Sequence, residues 1–324
     1  MRAVRVHELT GPKALKVDEL PLPEPDDDEV RISVRAAGIN FPDVLISYGK
    51  YQFKPEPPFI PGGEAAGVVS KVGSSVTSLK VGDRVAATMV NGAFAEEVVV
   101  NALAAVKLPD AVSFETAAAT TLTYGTTYHA LVDRAELKPN ETLLVLGAAG
   151  GTGVSAIQLG KALGARVIAA AGTPEKVAFC REQGADEGIC YATEDLKERV
   201  KALTNGDGAN VIYDAVGGPY SEPALRAIAW QGRFLVVGFA AGEIPKMPLN
   251  LLLLKGCDVL GVFWGQFAMR EVEKNRANLK QVLDWVAAGK LKPHVDGTLP
   301  FARATEAIER LERRAVKGKL LLVP

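Results

Sequence analysis

Seven residues near the middle of the chain, Gly147-Ala148-Ala149-Gly150-Gly151-Thr152-Gly153, carry almost no side-chain bulk. A backbone this open lets amide groups approach a phosphate closely. In the G-x-G-x-x-G fingerprint, the first glycine permits a tight turn, the second admits a pyrophosphate, and the third lets helix and strand pack. Ala148 takes the first place here, and Gly150 and Gly153 take the others. The predicted phosphate contacts are Gly150, Gly151, Thr152 and Gly153.

The same segment also has the length of a membrane span. Residues 142–160 contain no charge, and a span needs roughly 20 apolar residues. Glycines in the middle are costly in a continuous helix, however, because each loses much backbone freedom there. Divided at the glycines, the segment becomes a buried strand over 142–146, a turn, and a helix to Leu163 that Gly164 ends.

Strands and helices continue to alternate after this turn. Further strands are predicted over 166–171, 187–191, 209–214, 233–238 and 258–263, and helices over 174–183, 194–203 and 219–230. Such alternation is typical of parallel strands joined by right-handed crossovers. The fold class predicted for this block is therefore α/β, with a doubly wound parallel sheet of the Rossmann type.

The flanking segments have a different pattern. Short alternating runs over 30–35, 67–72 and 95–100 are separated by proline and glycine turns, which predicts a small β-rich domain. Helices are predicted over 272–288 and 304–314, and a last strand over 319–323 that rejoins the N-terminal domain. The predicted domains are 1–121, 122–264 and a C-terminal segment, 265–324, that completes the first.

Composition excludes several classes of protein. Of the 324 residues, 48% are apolar and 23% charged, with a net charge of −1. These values are typical of a soluble globular protein and predict neither a nucleic-acid nor a membrane partner. The first residues lack the apolar core of a secretory signal. The three cysteines, Cys180, Cys190 and Cys257, form no close pair, so we predict a reduced, cytoplasmic protein.

The end of the second strand of the α/β block indicates which nucleotide binds. Proteins that prefer NAD place an acidic residue there, whereas this chain has Ala171-Gly172-Thr173. Nothing at this point would repel a 2′-phosphate. Lys176 could supply a positive charge and Tyr191 a phenol, although Lys176 could equally be a solvated lysine at a helix start. The prediction is NADPH rather than NADH.

The motif Asn140-Glu141-x-x-Leu144-x-x-x-Ala148-Ala149-Gly150-Gly151-x-Gly153-x-x-x-x-Gln158-x-x-Lys161 resembles the signature of the quinone oxidoreductase/zeta-crystallin family. This family is a branch of the medium-chain dehydrogenases/reductases. The similarity covers essentially the whole chain, including "AAGINFPDVLISYGKYQFKPEPPFIPGGEAAGVV" and "NLLLLKGCDVLGVFWG". The resemblance implies a GroES-like β-rich catalytic domain and a Rossmann domain, with the active site in the cleft between them.

Zinc is not expected. Zinc alcohol dehydrogenases of the same superfamily have a cysteine and a histidine where this chain has Asn40 and Gly63. Catalytic zinc needs thiolate, imidazole or carboxylate ligands, and structural zinc in those enzymes needs a four-cysteine lobe. No cysteine lies between residues 1 and 179. The prediction is an enzyme that activates its substrate without a metal.

The resemblance also implies roles for individual residues. Asn40 and Thr126 would lie near the nicotinamide, with Gly238, Phe239, Phe263 and Trp264 along the cofactor. Phe239 and Trp264 could instead serve core or dimer packing. Tyr51 matches the tyrosine that enoyl reductases of the superfamily are thought to use as proton donor; alternatively, its ring packs beside the substrate. Asp43 is interpreted as a structural hydrogen-bond acceptor.

Three functions are compatible with these residues. The first is an NADPH-dependent quinone oxidoreductase, because an electron-poor quinone needs chiefly a positioned hydride donor. The second is a reductase of activated C=C bonds in an enone, a 2-enoyl thioester or a substituted acrylate, with Lys50 and Lys54 available to an anionic tail. The third is a non-enzymatic NADPH-binding protein. The family implies a homodimer joined through "GCDVLGVFWG", whose apolar residues would otherwise form an exposed edge strand.

Overall fold

The computed structural model describes all residues from Met1 to Pro324. The chain divides into two compact units. The first comprises Met1–Leu122, Phe267–Gly289 and Pro293–Pro324, and the second comprises Thr123–Gln266 and Lys290–Lys292.

The structure contains fifteen strands and eleven α-helices. The strands are β1 (Arg2–Val6), β2 (Leu15–Glu19), β3 (Glu29–Ile39), β4 (Glu64–Val72), β5 (Arg84–Thr88), β6 (Glu97–Asn101), β7 (Ala105–Lys107), β8 (Thr142–Leu146), β9 (Arg166–Ala171), β10 (Glu187–Cys190), β11 (Ala209–Asp214), β12 (Ile228–Val236), β13 (Asp258–Gly261), β14 (Val295–Pro300) and β15 (Lys319–Val323). The helices are α1 (Phe41–Ser47), α2 (Phe114–Ala118), α3 (Thr121–Tyr128), α4 (Gly151–Ala162), α5 (Pro174–Glu182), α6 (Leu196–Leu203), α7 (Ser221–Arg226), α8 (Leu249–Lys255), α9 (Trp264–Arg270), α10 (Val272–Ala287) and α11 (Ala304–Glu312). One π-helical segment, His129–Arg134, continues α3.

The second unit is built on a six-stranded sheet in the order β10-β9-β8-β11-β12-β13. Every neighbouring pair of strands in it is parallel. The central strand β8 is apolar along most of its length, and Leu143 to Leu146 are fully buried, as expected where a parallel sheet is covered on both faces. The predicted doubly wound Rossmann class is confirmed.

The first unit contains a seven-stranded sheet in which β14, β15, β3, β4, β5 and β7 are neighbours and β6 also pairs with β3. The long strand β3 buries Val30, Ile32 and Val34 on one face, which is the alternation seen in the sequence. The C-terminal strand β15 pairs antiparallel with β3, so the prediction that the chain end rejoins the N-terminal domain is confirmed. The β-rich GroES-like class is also confirmed.

Two predicted elements are wrong in detail. Residues 228–230, predicted as the end of a helix, already belong to β12, because α7 ends at Arg226 and Ile228 pairs with Ala209 of β11. The strand predicted over 258–263 ends at Gly261, and the residues before it in "NLLLLKGCDVLGVFWG" are not extended. The segment forms α8, then Gly256 in the left-handed region with φ of 55°, then the short strand β13.

No helix of the structure combines the length and apolar character needed to cross a membrane. Residues 142–160, which have the length of a span, form a strand, a turn and part of a helix, as predicted.

Candidate functional site

The glycine-rich turn joins the carboxyl end of β8 to α4. Gly147 follows the strand directly and has φ of 66°, a left-handed conformation that favours glycine. A Cβ at this position would also lie 2.6 Å from a methyl group of Val216. The tight turn is therefore made at Gly147, and the sequence-based assignment of this role to Ala148 is wrong by one residue.

Gly150 and Gly153 meet different surroundings. A Cβ at Gly153 would lie 2.4 Å from the carbonyl oxygen of Gly147 and 2.6 Å from backbone atoms of Ala148, so only glycine lets helix and strand pack this closely. A Cβ at Gly150 would meet only the carbonyl oxygen of Gly147, at 3.5 Å. The protein itself leaves Gly150 open, and Gly150 is also the N-cap of α4, where unpaired amide groups face outward.

The carboxyl ends of the parallel strands bring other predicted residues to the same edge. Leu146 of β8 lies in register with Ala170 of β9 and with Asp214 of β11. Gly172 follows β9 and Tyr191 follows β10. A Cβ at Gly172 would be 3.5 Å from the Tyr191 ring. Tyr191 in turn packs against Tyr220, with ring centroids 4.2 Å apart.

No carboxylate occupies the end of β9, where Ala171 is followed by Gly172 and Thr173. Thr173 caps α5, and its hydroxyl accepts a hydrogen bond from the backbone N–H of Lys176 at 3.2 Å. Lys176 therefore lies in the first turn of α5, and its side chain is half-buried. This placement puts Lys176 close in sequence to the edge that Gly172 and Tyr191 form.

The remaining predicted cofactor residues also belong to the second unit. Gly238 and Phe239 follow β12, and Gly238 donates a backbone hydrogen bond to the carbonyl of Asp214 at 3.2 Å. Phe263 follows β13 and is 43% exposed, whereas Trp264 begins α9 and is buried. Thr126 lies in α3 and is nearly buried.

Asn40 is placed in the first unit, beside a buried ion pair. The Lys319 ammonium donates hydrogen bonds to the Asn40 side-chain oxygen at 2.6 Å, to Glu64 Oε1 at 2.7 Å and to the carbonyl of Ile39 at 2.8 Å. Glu64 is 0% exposed and Lys319 4%. The antiparallel pairing of β3 with both β4 and β15 explains this meeting, because it brings the end of β3 to the starts of the other two strands.

Every polar atom of this cluster has a partner. Glu64 Oε2 accepts hydrogen bonds from the Thr121 hydroxyl and the Leu122 backbone N–H, both at 2.7 Å. The Asn40 amide nitrogen donates to Glu64 Oε1 at 2.9 Å and to the Gly38 carbonyl at 3.2 Å. Both amide hydrogens of Asn40 are therefore used inside the protein, which leaves its side-chain oxygen as the atom able to take a further contact.

Two titratable groups lie next to this cluster. Burial raises the pKa of Asp43 to about 7, against the lowering effect of the hydrogen bond from the Asn40 backbone and of the Lys319 charge. That hydrogen bond, from Asn40 N to Asp43 Oδ2, is 2.7 Å long, as expected from the interpretation of Asp43 as an acceptor. Burial, and after it the charge of Asp43, raises the pKa of the half-buried Tyr51 hydroxyl.

Glu64 and Lys319 belong to the cluster around Asn40, and neither of them was predicted from the sequence. The pair is separated by 255 positions, and no periodic pattern links residues that far apart. One signal was present, namely a lysine at the start of an otherwise apolar strand, "KLLLV". A lysine in a buried strand is rarely without a carboxylate partner.

Comparison with known proteins agrees with this architecture. Residues 26–110 match the alcohol dehydrogenase GroES-like domain, and residues 151–288 match the zinc-binding dehydrogenase family. The chain is 41% identical to quinone oxidoreductase-like protein 2 homolog of Nematostella vectensis, over 99% of this chain and 88% of that protein. It is 37% identical to quinone oxidoreductase 1 of Escherichia coli, over 99% of each chain. The structure of Escherichia coli quinone oxidoreductase complexed with NADPH superposes with a TM-score of 0.93, at 35% identity, and covers 100% of both chains.

A GroES-like domain together with a doubly wound parallel sheet defines the class of the medium-chain dehydrogenases/reductases. Within that class, the chain belongs to the quinone oxidoreductase family.

The description "zinc-binding dehydrogenase" does not fit the residues of this chain. Zinc would need thiolate, imidazole or carboxylate ligands converging on one point. Asn40 and Gly63 supply none of these, and the Glu64 carboxylate already pairs with the Lys319 ammonium. No group of three or more histidine, cysteine, aspartate or glutamate side chains is arranged to hold a metal ion.

Proposed function

We propose that the protein is an NADPH-dependent quinone oxidoreductase that acts without a metal. The observation that carries the proposal is the edge of the parallel sheet in the second unit. There the open Gly150, the Gly172–Tyr191 contact and the absence of a carboxylate after β9 occur together. The family relationship supports it, since the Escherichia coli relative is described as a complex with NADPH.

The residues present fit this cofactor. The first turn of α4, Gly151 to Gly153, has free amide groups for the pyrophosphate, and the open space at Gly150 admits it. Lys176 and the Tyr191 hydroxyl would hold the 2′-phosphate. Thr126, Gly238, Phe239 and Phe263 would contact the rest of the molecule, and the Asn40 oxygen would accept from the nicotinamide carboxamide.

NADPH, when bound, supplies a hydride. What remains for this chain is to position the acceptor and to provide a proton. Tyr51 suits the second task, because a phenol whose pKa is raised by burial keeps its proton at neutral pH and can donate it to a developing enolate. This property is the observation that favours the second candidate, a reductase of activated C=C bonds. A non-enzymatic NADPH-binding role remains the third.

We further propose a homodimer and a cytoplasmic location. The three cysteines are all unpaired and buried, as expected of a reduced protein. No nucleic-acid partner is expected, and the substrate is a small molecule.

The experiment is to follow NADPH oxidation with a naphthoquinone, an enone and an acrylyl thioester in parallel, each with and without a chelator. The leading proposal predicts the highest kcat/KM with the quinone, unchanged by chelation. Preference for the enone or thioester, with loss of that activity in Tyr51→Phe, would favour the C=C reductase. Activity on none of the three, with NADPH still bound, would favour the non-enzymatic role.

A further inference from the structure

A cluster of three hydroxyl side chains is hydrogen-bonded to the glycine-rich turn at the backbone of Thr152. Thr127 comes from α3, Ser155 from α4 and Tyr213 from β11. Thr127, Ser155 and Tyr213 are each 0% exposed. Buried hydroxyls are costly unless they are hydrogen-bonded, so a group of them gathered at one point indicates a specific arrangement.

The three hydroxyls form one network that ends at the Thr152 carbonyl. Thr127 Oγ1 lies 2.6 Å from Ser155 Oγ and 3.0 Å from the Tyr213 hydroxyl. Thr127 Oγ1 also lies 3.5 Å from the Thr152 carbonyl oxygen. Ser155 Oγ lies 2.8 Å from the Thr152 carbonyl oxygen. The backbone carbonyl of Thr152 is therefore held by the Ser155 and Thr127 hydroxyls.

This network lies where it can fix the orientation of the glycine-rich turn. Thr152 is the second residue of α4, in the part of the helix whose amide groups have no partner within the helix. Tyr213 lies opposite Val145 of β8, two residues before Gly147. The network thus connects α3 and the central sheet to the turn of helix that would contact the pyrophosphate.

We propose that Tyr213 and Thr127 are positioning residues that fix the first turn of α4, through Thr152, in the orientation that receives the nucleotide phosphates. This inference rests on the proposed binding of NADPH and adds residues that would not touch the cofactor. Its physical basis is preorganisation: amide groups already aligned in the free protein need not be ordered on binding. Burial raises the pKa of Tyr213 to about 12, so its hydroxyl keeps its proton at neutral pH.

The test is Tyr213→Phe, which removes one hydroxyl and keeps the ring. NADPH is titrated into the purified protein, Kd is obtained by calorimetry, and Tm is measured on the same samples. Loss of one hydrogen bond from the network should raise Kd about three- to tenfold. Thr127→Val should raise it similarly, and Thr127→Ser, which restores the hydroxyl, should return Kd to the wild-type value.

Tyr124→Phe is the matched control. Tyr124 is a buried tyrosine of the same unit, and its hydroxyl donates to Gln158 at 2.8 Å. No hydrogen bond of Gln158 joins it to the network: its amide donates to Gln183 and to the carbonyl of Lys292. Tyr124→Phe should therefore lower Tm as Tyr213→Phe does while leaving Kd for NADPH unchanged.

The outcomes separate the inference from the proposed function. If wild-type and Tyr213→Phe proteins bind NADPH equally well, or if both phenylalanine variants weaken binding by the same factor, the positioning role is wrong and NADPH binding stands. If the wild-type protein does not bind NADPH, the proposed cofactor is wrong and this inference with it.

Discussion

The Lys319 ammonium is buried, and its three hydrogen bonds account for all three of its protons. A buried ion pair contributes little net stability, because desolvation offsets the attraction, but removing one partner leaves an uncompensated charge. The main effect of the cluster is therefore to hold the surrounding groups in fixed positions. It determines which atoms of Asn40 are available and holds the beginning of α1 against β4 and β15.

Lys319→Met should destabilise the protein by about 3–5 kcal/mol, since the Glu64 carboxylate would then be buried without its cation. Urea unfolding at neutral pH measures the effect. The double variant Lys319→Met/Glu64→Gln removes both charges and should recover a large part of the loss. A single variant as stable as wild type would contradict the view that Lys319 compensates the buried Glu64 carboxylate.

Asp43 makes stability depend on pH. Its pKa is about 7 in the folded protein, against 3.8 as the ordinary value. The folded state therefore keeps a proton that the unfolded state releases, so this contribution to stability is complete below about pH 4 and is lost as the pH rises through 7. Relative to Asp43→Asn, wild type should lose on the order of a few kcal/mol over that interval. Parallel unfolding free energies of the two proteins from pH 4 to 8 would contradict the raised pKa.

Lys176 decides cofactor preference if it holds the 2′-phosphate. Lys176→Ala should raise KM for NADPH roughly ten- to hundredfold, the value of a charge-assisted contact, and leave KM for NADH nearly unchanged. Lys197→Ala is the control, because that ammonium pairs with Glu198 on α6 at 2.7 Å. An equal rise in KM for NADPH and NADH would show that Lys176 does not contact the 2′-phosphate.

At the scale of elements, the sequence predicts the parallel sheet well because strand and helix signals agree there. The strands over 142–146, 166–171, 209–214 and 319–323 are predicted with the bounds that the structure gives. Errors occur where a helix is short. The helix over 219–230 extends too far because its apolar pattern continues into β12, and tertiary pairing with β11 overrides it. Helix α8 was missed, although Lys255-Gly256 is an ordinary helix C-terminal signal.

Two glycines of the turn are expected to serve different purposes. Gly153 allows the helix and strand to pack, and Gly150 leaves room for the cofactor. Gly153→Ala should strongly destabilise the protein, because the new Cβ would meet backbone atoms at 2.4 Å and 2.6 Å, which cannot move aside. Gly150→Ala should fold normally, because the same atom meets one contact at 3.5 Å, yet it should weaken NADPH binding by filling the approach of the pyrophosphate. Tm and NADPH titration are measured for both. A Gly150→Ala variant with wild-type affinity would indicate that the phosphates do not pass over this residue.

At the scale of the whole molecule, the second unit exposes several large apolar side chains. Among them are Trp230, Leu249, Leu253, Leu254, Val259 and Phe263. The three leucines belong to α8, and the Trp230 ring packs over Gly256 at the end of that helix. Strand β13 lies at the edge of the sheet and pairs only with β12. Sequence analysis expected the apolar edge but placed Val262 and Trp264 on it, and both are buried.

These exposed side chains and the unpaired edge together predict a homodimer in which β13 meets its twofold mate, because an open apolar edge strand is a site of association that proteins usually cover. Light scattering should give about twice the 34.3 kDa mass of one chain. Val259→Lys places a charge on the edge and should yield monomers, whereas Val81→Lys, at an exposed valine of the first unit, should leave the mass unchanged. Val262→Pro is a poorer test, because the backbone N–H of Val262 already donates to the Val236 carbonyl within the chain, at 2.9 Å. Loss of this hydrogen bond would destabilise a monomer as well. A wild-type protein that scatters as a monomer at micromolar concentration would exclude the dimer and require another explanation for the exposed leucines of α8.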